Sequence, residues 1–162
     1  MNFRFFTGRV MEISDFSIQQ DDQGSGCYKL FMVADREGSI VNFVIEPGTY
    51  FVDHVLVEVG DIVTGFYDAN APTPFIYPPQ YRTIVMAKER SGQFVKVDFF
   101  DRNLVSSDGS LKLNLNRNTP ILLENGQSFA GSPANRELIV IYSTTTRSIP
   151  AQTTPQKVIV LC

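Results

Sequence analysis

Leu111-Lys112-Leu113-Asn114-Leu115-Asn116 is the stretch that decides the fold. Leucine stands at every second position and a polar residue between each pair. A helix would spread these leucines around its circumference, whereas a strand puts them all on one face. The stretch therefore reads as a strand with one buried and one wet side. Ser106-Ser107-Asp108-Gly109 precedes it and is a strong turn signal.

Working outward, the surrounding chain repeats the same grammar. Phe94 to Phe100 alternates imperfectly, Thr119 to Leu123 is a short apolar run, and Leu138 to Tyr142 is a β-branched run that must be buried. Lys157 to Leu161 closes the chain as a strand. Polar loops at Asn125 to Arg136 and Ser143 to Gln156 separate these runs.

The first half reads the same way. Phe3 to Ile13 is a strand interrupted by Gly8, as by a bulge or bend, and Phe16 to Ile18 continues it. Gln19 to Gly26 is a polar loop or hairpin tip. Tyr28 to Val33 and Ile40 to Ile45 flank Asp35-Arg36-Glu37-Gly38-Ser39, which makes a hairpin. Tyr50 to Val59 reads equally as a short helix or an irregular strand, because its apolar residues have helical spacing but include three valines. Gly60-Asp61 punctuates, and Ile62 to Phe66 and Tyr81 to Ala87 are strands. Lys88 to Gln93 is the best linker.

The two halves correspond. Gly38-Ser39 with the run after it matches Gly109-Ser110 with Leu111 to Leu115, and Thr49 matches Thr119. Phe66-Tyr67 matches Ile141-Tyr142, and the stretches from Tyr67 to Met86 and from Tyr142 to Leu161 are equal in length. The expected fold class is all-β. It comprises two small Greek-key, OB-like β-barrel units, an internal duplication or two sheets alike in composition. One unit covers residues 1–90 with a Pro/aromatic loop at 68–80. The other covers residues 94–162 with a loop at 143–156. The OB-like reading rests on element order alone.

Composition bounds the function. The formal net charge is -3, and no cationic stripe wide enough for a duplex is present, which weighs against nucleic-acid binding. No long apolar segment follows the N-terminus and none has the length of a membrane span. Cys27 and Cys162 are too few and too far apart for a zinc site, and they read as unpaired thiols of a cytoplasmic protein. His54 is the single histidine, without a triad around it. Asp21-Asp22 lacks calcium-loop spacing, and Gly24-Ser25-Gly26 lacks the helix and lysine of a phosphate loop. Ser39 and Ser110 sit in turns, not in a nucleophile elbow. No catalytic residue, metal or cofactor is assigned.

What remains is a pair of loops. Residues 72–79 hold four prolines within eight positions, around Phe75, Ile76 and Tyr77 and just before Tyr81. Rings on a stiff frame lose little entropy on binding. The matching loop offers hydroxyls, Arg147 and Gln152. Two roles are open: a cover that buries Phe75, Ile76 and Ile149 over a barrel end, or a surface for a ligand or partner. Arg147 reads as a neutral surface residue, a clamp for a carboxylate or phosphate, or a cap on loop carbonyls, the last being the favoured reading. The favoured function is a non-catalytic module binding a protein or small molecule through Phe75, Tyr77, Tyr81, Arg147 and Gln152. The alternatives are single-strand nucleic-acid or oligosaccharide binding on a barrel face, and a structural protein whose edge strands pair into homo-oligomers.

Overall fold

The structure is a computed structural model that describes residues 1–16 and 26–162. The expected continuation of the first strand past Phe16, the polar loop, the Asp21-Asp22 pair and the start of the glycine-serine turn lie outside the described residues. The protein is all-β: strands and one short 3-10 turn make up its regular structure among the described residues. The chain divides into two compact units, Met1–Glu89 and Arg90–Cys162.

The first unit contains β1 (Phe3–Asp15), β2 (Lys29–Ala34), β3 (Ile40–Ile45), β4 (Tyr50–Phe51), β5 (Ile62–Asp68), β6 (Gln80–Arg82) and β7 (Val85–Lys88). They form one sheet in the order β4-β7-β5-β1-β2-β3-β6. The long β1 pairs with β5 along its first half and with β2 along its second. Its register shifts between Val10 and Glu12, so the bulge lies at Met11 and not at Gly8. Gly8 answers a different need: a Cβ there would run into the Ala34 carbonyl. The β2–β3 hairpin is as expected. Asp35 Oδ1 accepts the N–H groups of Glu37 (3.0 Å) and Ser39 (2.9 Å), and Gly38 takes the left-handed turn position. One face of the sheet buries Val10, Phe31, Val33, Phe43, Val63 and Met86.

Tyr50 to Val59 is neither helix nor regular strand. Two residues of β4 lead into the 3-10 turn Val52–His54, and Asp53 and His54 both have positive φ. The valines explain this: Val52 and Val57 are buried, and only an irregular path brings both inward. The strand expected from Tyr81 to Ala87 is broken at Thr83-Ile84. Thr83 N–H bonds Val44 O (3.0 Å) and Ile84 N–H bonds Phe66 O (2.8 Å). The chain thus leaves the edge of β3, where β6 pairs in parallel, and joins β5, where β7 pairs antiparallel. The sheet must curl for one short segment to serve both places.

The second unit contains β8 (Phe94–Phe100), β9 (Leu111–Leu113), β10 (Ile121–Leu123), β11 (Arg136–Tyr142), β12 (Ala151–Thr153) and β13 (Lys157–Val160). Its sheets run β10-β13-β11-β8 and β12-β9, and single bridges at Phe100–Ser106 and Val105–Lys112 link β8 and β9 through the intervening Val105-Ser106 segment, which stands in the place of β2. Read through those bridges, strand order and sense match the first unit: β4–β7 and β10–β13 are parallel, as are β3–β6 and β9–β12. Thr49 and Thr119 also match in their bonds. Each Oγ1 accepts the N–H three residues back, from Glu46 at 2.9 Å and from Asn116 at 3.3 Å. Leu111 and Leu113 are buried with Phe100, Leu138, Val140 and Val158. The closed barrels expected from element order do not form: no sheet closes on itself among the described residues. In each unit the two outermost strands, β4 and β6 or β10 and β12, do not pair with each other.

Candidate functional site

The loop from β5 to β6 is built by what its residues cannot do. Prolines lack the N–H that a ladder needs, so residues 72–79 stay out of the sheet. Asp68 starts the loop. Its Oδ1 accepts the N–H groups of Asn70 (3.0 Å) and Asn2 (3.1 Å), and these bonds hold the carboxyl below its usual range. Pro79 O ends it by accepting Asn42 N–H at 2.9 Å. The Tyr77–Pro78 bond is cis.

Between these anchors the side chains point outward. Phe75 is 108% exposed, Ile76 54% and Tyr77 79%. The loop is therefore not a cover for these residues. The same holds in the second unit, where Ile149 is 97% exposed. Isolated exposed apolar residues are ordinary, but three large ones in sequence on a proline frame are not.

Behind the tip lies a pocket of about 240 Å³. Tyr67, Tyr81, Pro72, Pro74 and Val44 form its apolar walls. Tyr67 comes from the end of β5 and Tyr81 from β6, two strands that are not hydrogen-bonded neighbours. Their rings stack in parallel, 3.9 Å apart and 5° from coplanar. Beneath them Phe43 packs against Tyr67 at 6.4 Å, which fixes the stack from the core side. Burial, and secondarily the adjacent Tyr81 hydroxyl, pushes the Tyr67 phenol up to about 12, so it stays neutral. Arg82 stands at the rim, its side chain 72% exposed, with Nε donating to Glu46 Oε1 at 2.6 Å.

Phe75, Tyr77 and Tyr81 thus share one loop-and-pocket feature, but Arg147 and Gln152 belong to the second unit. Arg147 is exposed and does not cap the loop carbonyls. Hydroxyls do that work: Ser148 donates to Pro150 O (2.8 Å) and Thr153 to Thr144 O (2.6 Å), while Thr146 Oγ1 accepts Gln152 N–H (2.9 Å). Gln152 Oε1 accepts from Asn114 Nδ2 at 3.1 Å, across the β9–β12 edge. Tyr67, Val44 and Arg82 were not among the expected site residues. The clue to Tyr67 was its position directly before the loop, mirroring Tyr81 directly after it.

Two other features carry charged side chains. A wider hollow of about 660 Å³ lies beside Gly8 and Ala34, rimmed by Arg36, Glu37 and Glu89. Arg9 at its wall is committed, donating to Gly60 O at 2.6 Å. In the second unit Lys96 pairs with Asp108, whose Oδ1 also accepts the Ser106 and Ser110 hydroxyls at 2.7 Å each. Burial pushes the Asp108 carboxyl up, but the Lys96 ammonium, the two hydroxyls and the Ser110 N–H outweigh it and hold the carboxyl well down. Ser106 Oγ in turn accepts Leu111 N–H at 3.0 Å. This cluster pins the turn before β9. Among the described residues no three His, Cys, Asp or Glu side chains are grouped to hold a metal, and no helix is long and apolar enough to cross a membrane.

No protein-family model and no curated protein matches the chain, so the site is read from its own chemistry.

Proposed function

We propose that the first unit is a non-catalytic binding module that takes a protein partner on the Phe75–Tyr77 tip and in the pocket behind it. The observation that carries this reading is the run of three large apolar side chains held outward between prolines. Burying them would supply the hydrophobic term, and the stiff frame keeps the entropy cost low. The polar groups at the rim are already engaged, Arg82 with Glu46 and Asp68 with two backbone N–H groups. They suit recognition better than proton transfer.

A stacking surface for single-stranded nucleic acid is less well supported. One face of Tyr67 is taken by Tyr81, and no charged residue lies between Asp68 and Arg82 to neutralise phosphates. We read Cys27 and Cys162, exposed and not in a disulfide, as cysteines of a reducing, cytoplasmic setting. We also read the two units as copies of one OB-like, Greek-key-related plan. Shared strand order and the matched Thr49 and Thr119 bonds support this.

The test is photo-cross-linking. A benzophenone side chain replaces Tyr77 in one sample and Asn125, in an exposed turn, in another. In an extract of the source cells the first should give a discrete protein adduct that the second lacks and that Phe75→Ser abolishes. Identical adduct patterns at both positions would refute the reading.

A further inference from the structure

The size and charge of the pocket narrow its occupant. A cavity of roughly 150 Å³ accepts benzene, whereas drug-sized ligands fill pockets of roughly 300 Å³ and more. At about 240 Å³ this pocket has room for one ring-bearing side chain and little else. The chain itself presents such a side chain beside it. Phe75 is fully exposed and follows directly on Pro74, which is part of the wall.

A knob and a hole on one patch are what a two-fold self-contact requires, because each copy must offer both. The charges agree. The segment from Ala69 to Tyr81 is uncharged, so two copies can approach there without like-charge repulsion despite the net charge of -3. It is bounded by Asp68 and Arg82, of opposite sign, both on the rim of the pocket. Under a two-fold each Asp68 would lie opposite the other copy's Arg82, of opposite charge, while each keeps its bonds within its own copy.

We propose that two copies of this chain pair through the 68–82 loop, each placing Phe75 in the pocket of the other, with Asp68 and Arg82 facing across the margin. This rests on the reading of the tip as a contact surface, and it names the partner.

The experiment is sedimentation and light scattering of the purified full chain from low micromolar to submillimolar concentration. A concentration-dependent dimer is expected. Phe75→Ser, at a fully exposed position where folding is not at stake, should raise the dimer dissociation constant at least about tenfold. Thr73→Trp, which fills the pocket from its exposed rim, should do the same. Mixing the two variants should restore a weaker heterodimer, since one knob and one hole remain. A monomer at every concentration would overturn the proposal, and so would a dimer indifferent to Phe75→Ser. If the chain is monomeric but position 77 still cross-links a different protein in extract, self-pairing fails and the contact-surface reading stands. If neither occurs, both fail.

Discussion

Gly65→Ala should unfold the first unit more easily, and the structure says why. A Cβ at Gly65 would stand 2.5, 2.6 and 2.8 Å from three atoms of the Phe43 ring. Carbon atoms at rest sit at about 3.5–4.0 Å, so the overlap is about 1 Å at each contact. The ring has nowhere to go. Phe43 is fully buried, with Phe6 and Tyr67 each packed against it at 6.4 Å. Overpacking of this kind costs about 1–3 kcal/mol, and the tight surroundings favour the upper end. Replacing glycine also removes unfolded-state freedom, which returns about 0.4–1 kcal/mol because φ here is not positive. The net expectation is a loss of about 2 kcal/mol, or about 8–16 °C in Tm for a unit of this size. Urea unfolding followed by tyrosine fluorescence and calorimetry would measure it. Gly48→Ala is the control: nothing lies within 4 Å of its Cβ, and stability should hold or rise slightly. Phe43→Leu combined with Gly65→Ala should recover part of the loss that the two changes would give if independent. The reasoning is refuted if Gly65→Ala stays within about 0.5 kcal/mol of the parent, or if the double variant shows no coupling.

Three further outcomes are expected. Asp108 has a lowered folded-state pKa, so its contribution is present above the ordinary value of 3.8 and is lost as pH falls through the folded value. Asp108→Asn should therefore destabilise the second unit near neutrality and flatten its acid limb below pH 3.8, as read by thermal scans across pH; an unchanged acid limb would contradict this. The Tyr67 phenol, raised to about 12, should ionise later than an ordinary phenol when absorbance at alkaline pH is followed, and Tyr67→Phe should reduce the amplitude of late ionisation by one phenol, leaving that of Tyr142, which burial also raises. Because the folded state keeps its proton longer, stability should fall as pH rises from 10 toward 12, and a rise would argue against the assignment. Thr83 Oγ1 is buried with no hydrogen-bond partner among the described residues, so Thr83→Val should be neutral or stabilising by up to about 1–2 kcal/mol in denaturant titration, with a clear loss pointing to an unseen partner.

Period-two patterning made the sheets legible. Leu111 and Leu113 are buried with Lys112 between them half-exposed, and the β2–β3 hairpin follows its Asp35–Ser39 turn residue by residue. What escaped was set by long-range contacts. Nothing local marks Thr83-Ile84 as the place where a strand changes partner, because the cause is the carbonyls of Val44 and Phe66, distant in sequence. The barrel expectation failed on the same ground. Element order fixes which strands exist, but closure depends on whether the outermost strands meet.

The loops show the same division. Proline content correctly kept residues 72–79 out of the sheet, yet nothing in it says whether Phe75 turns in or out, and Phe75 is fully exposed beside the pocket that Tyr67 and Tyr81 wall. The corresponding loop of the second unit reaches a different solution from a similar frame. Its hydroxyls satisfy its own backbone through Ser148 and Thr153. A loop that is closed by its own hydrogen bonds has little polar capacity left to offer, whereas one propped by rings and prolines keeps both an apolar tip and a hollow. That difference in how the two loops are supported favours the first unit for the proposed binding role.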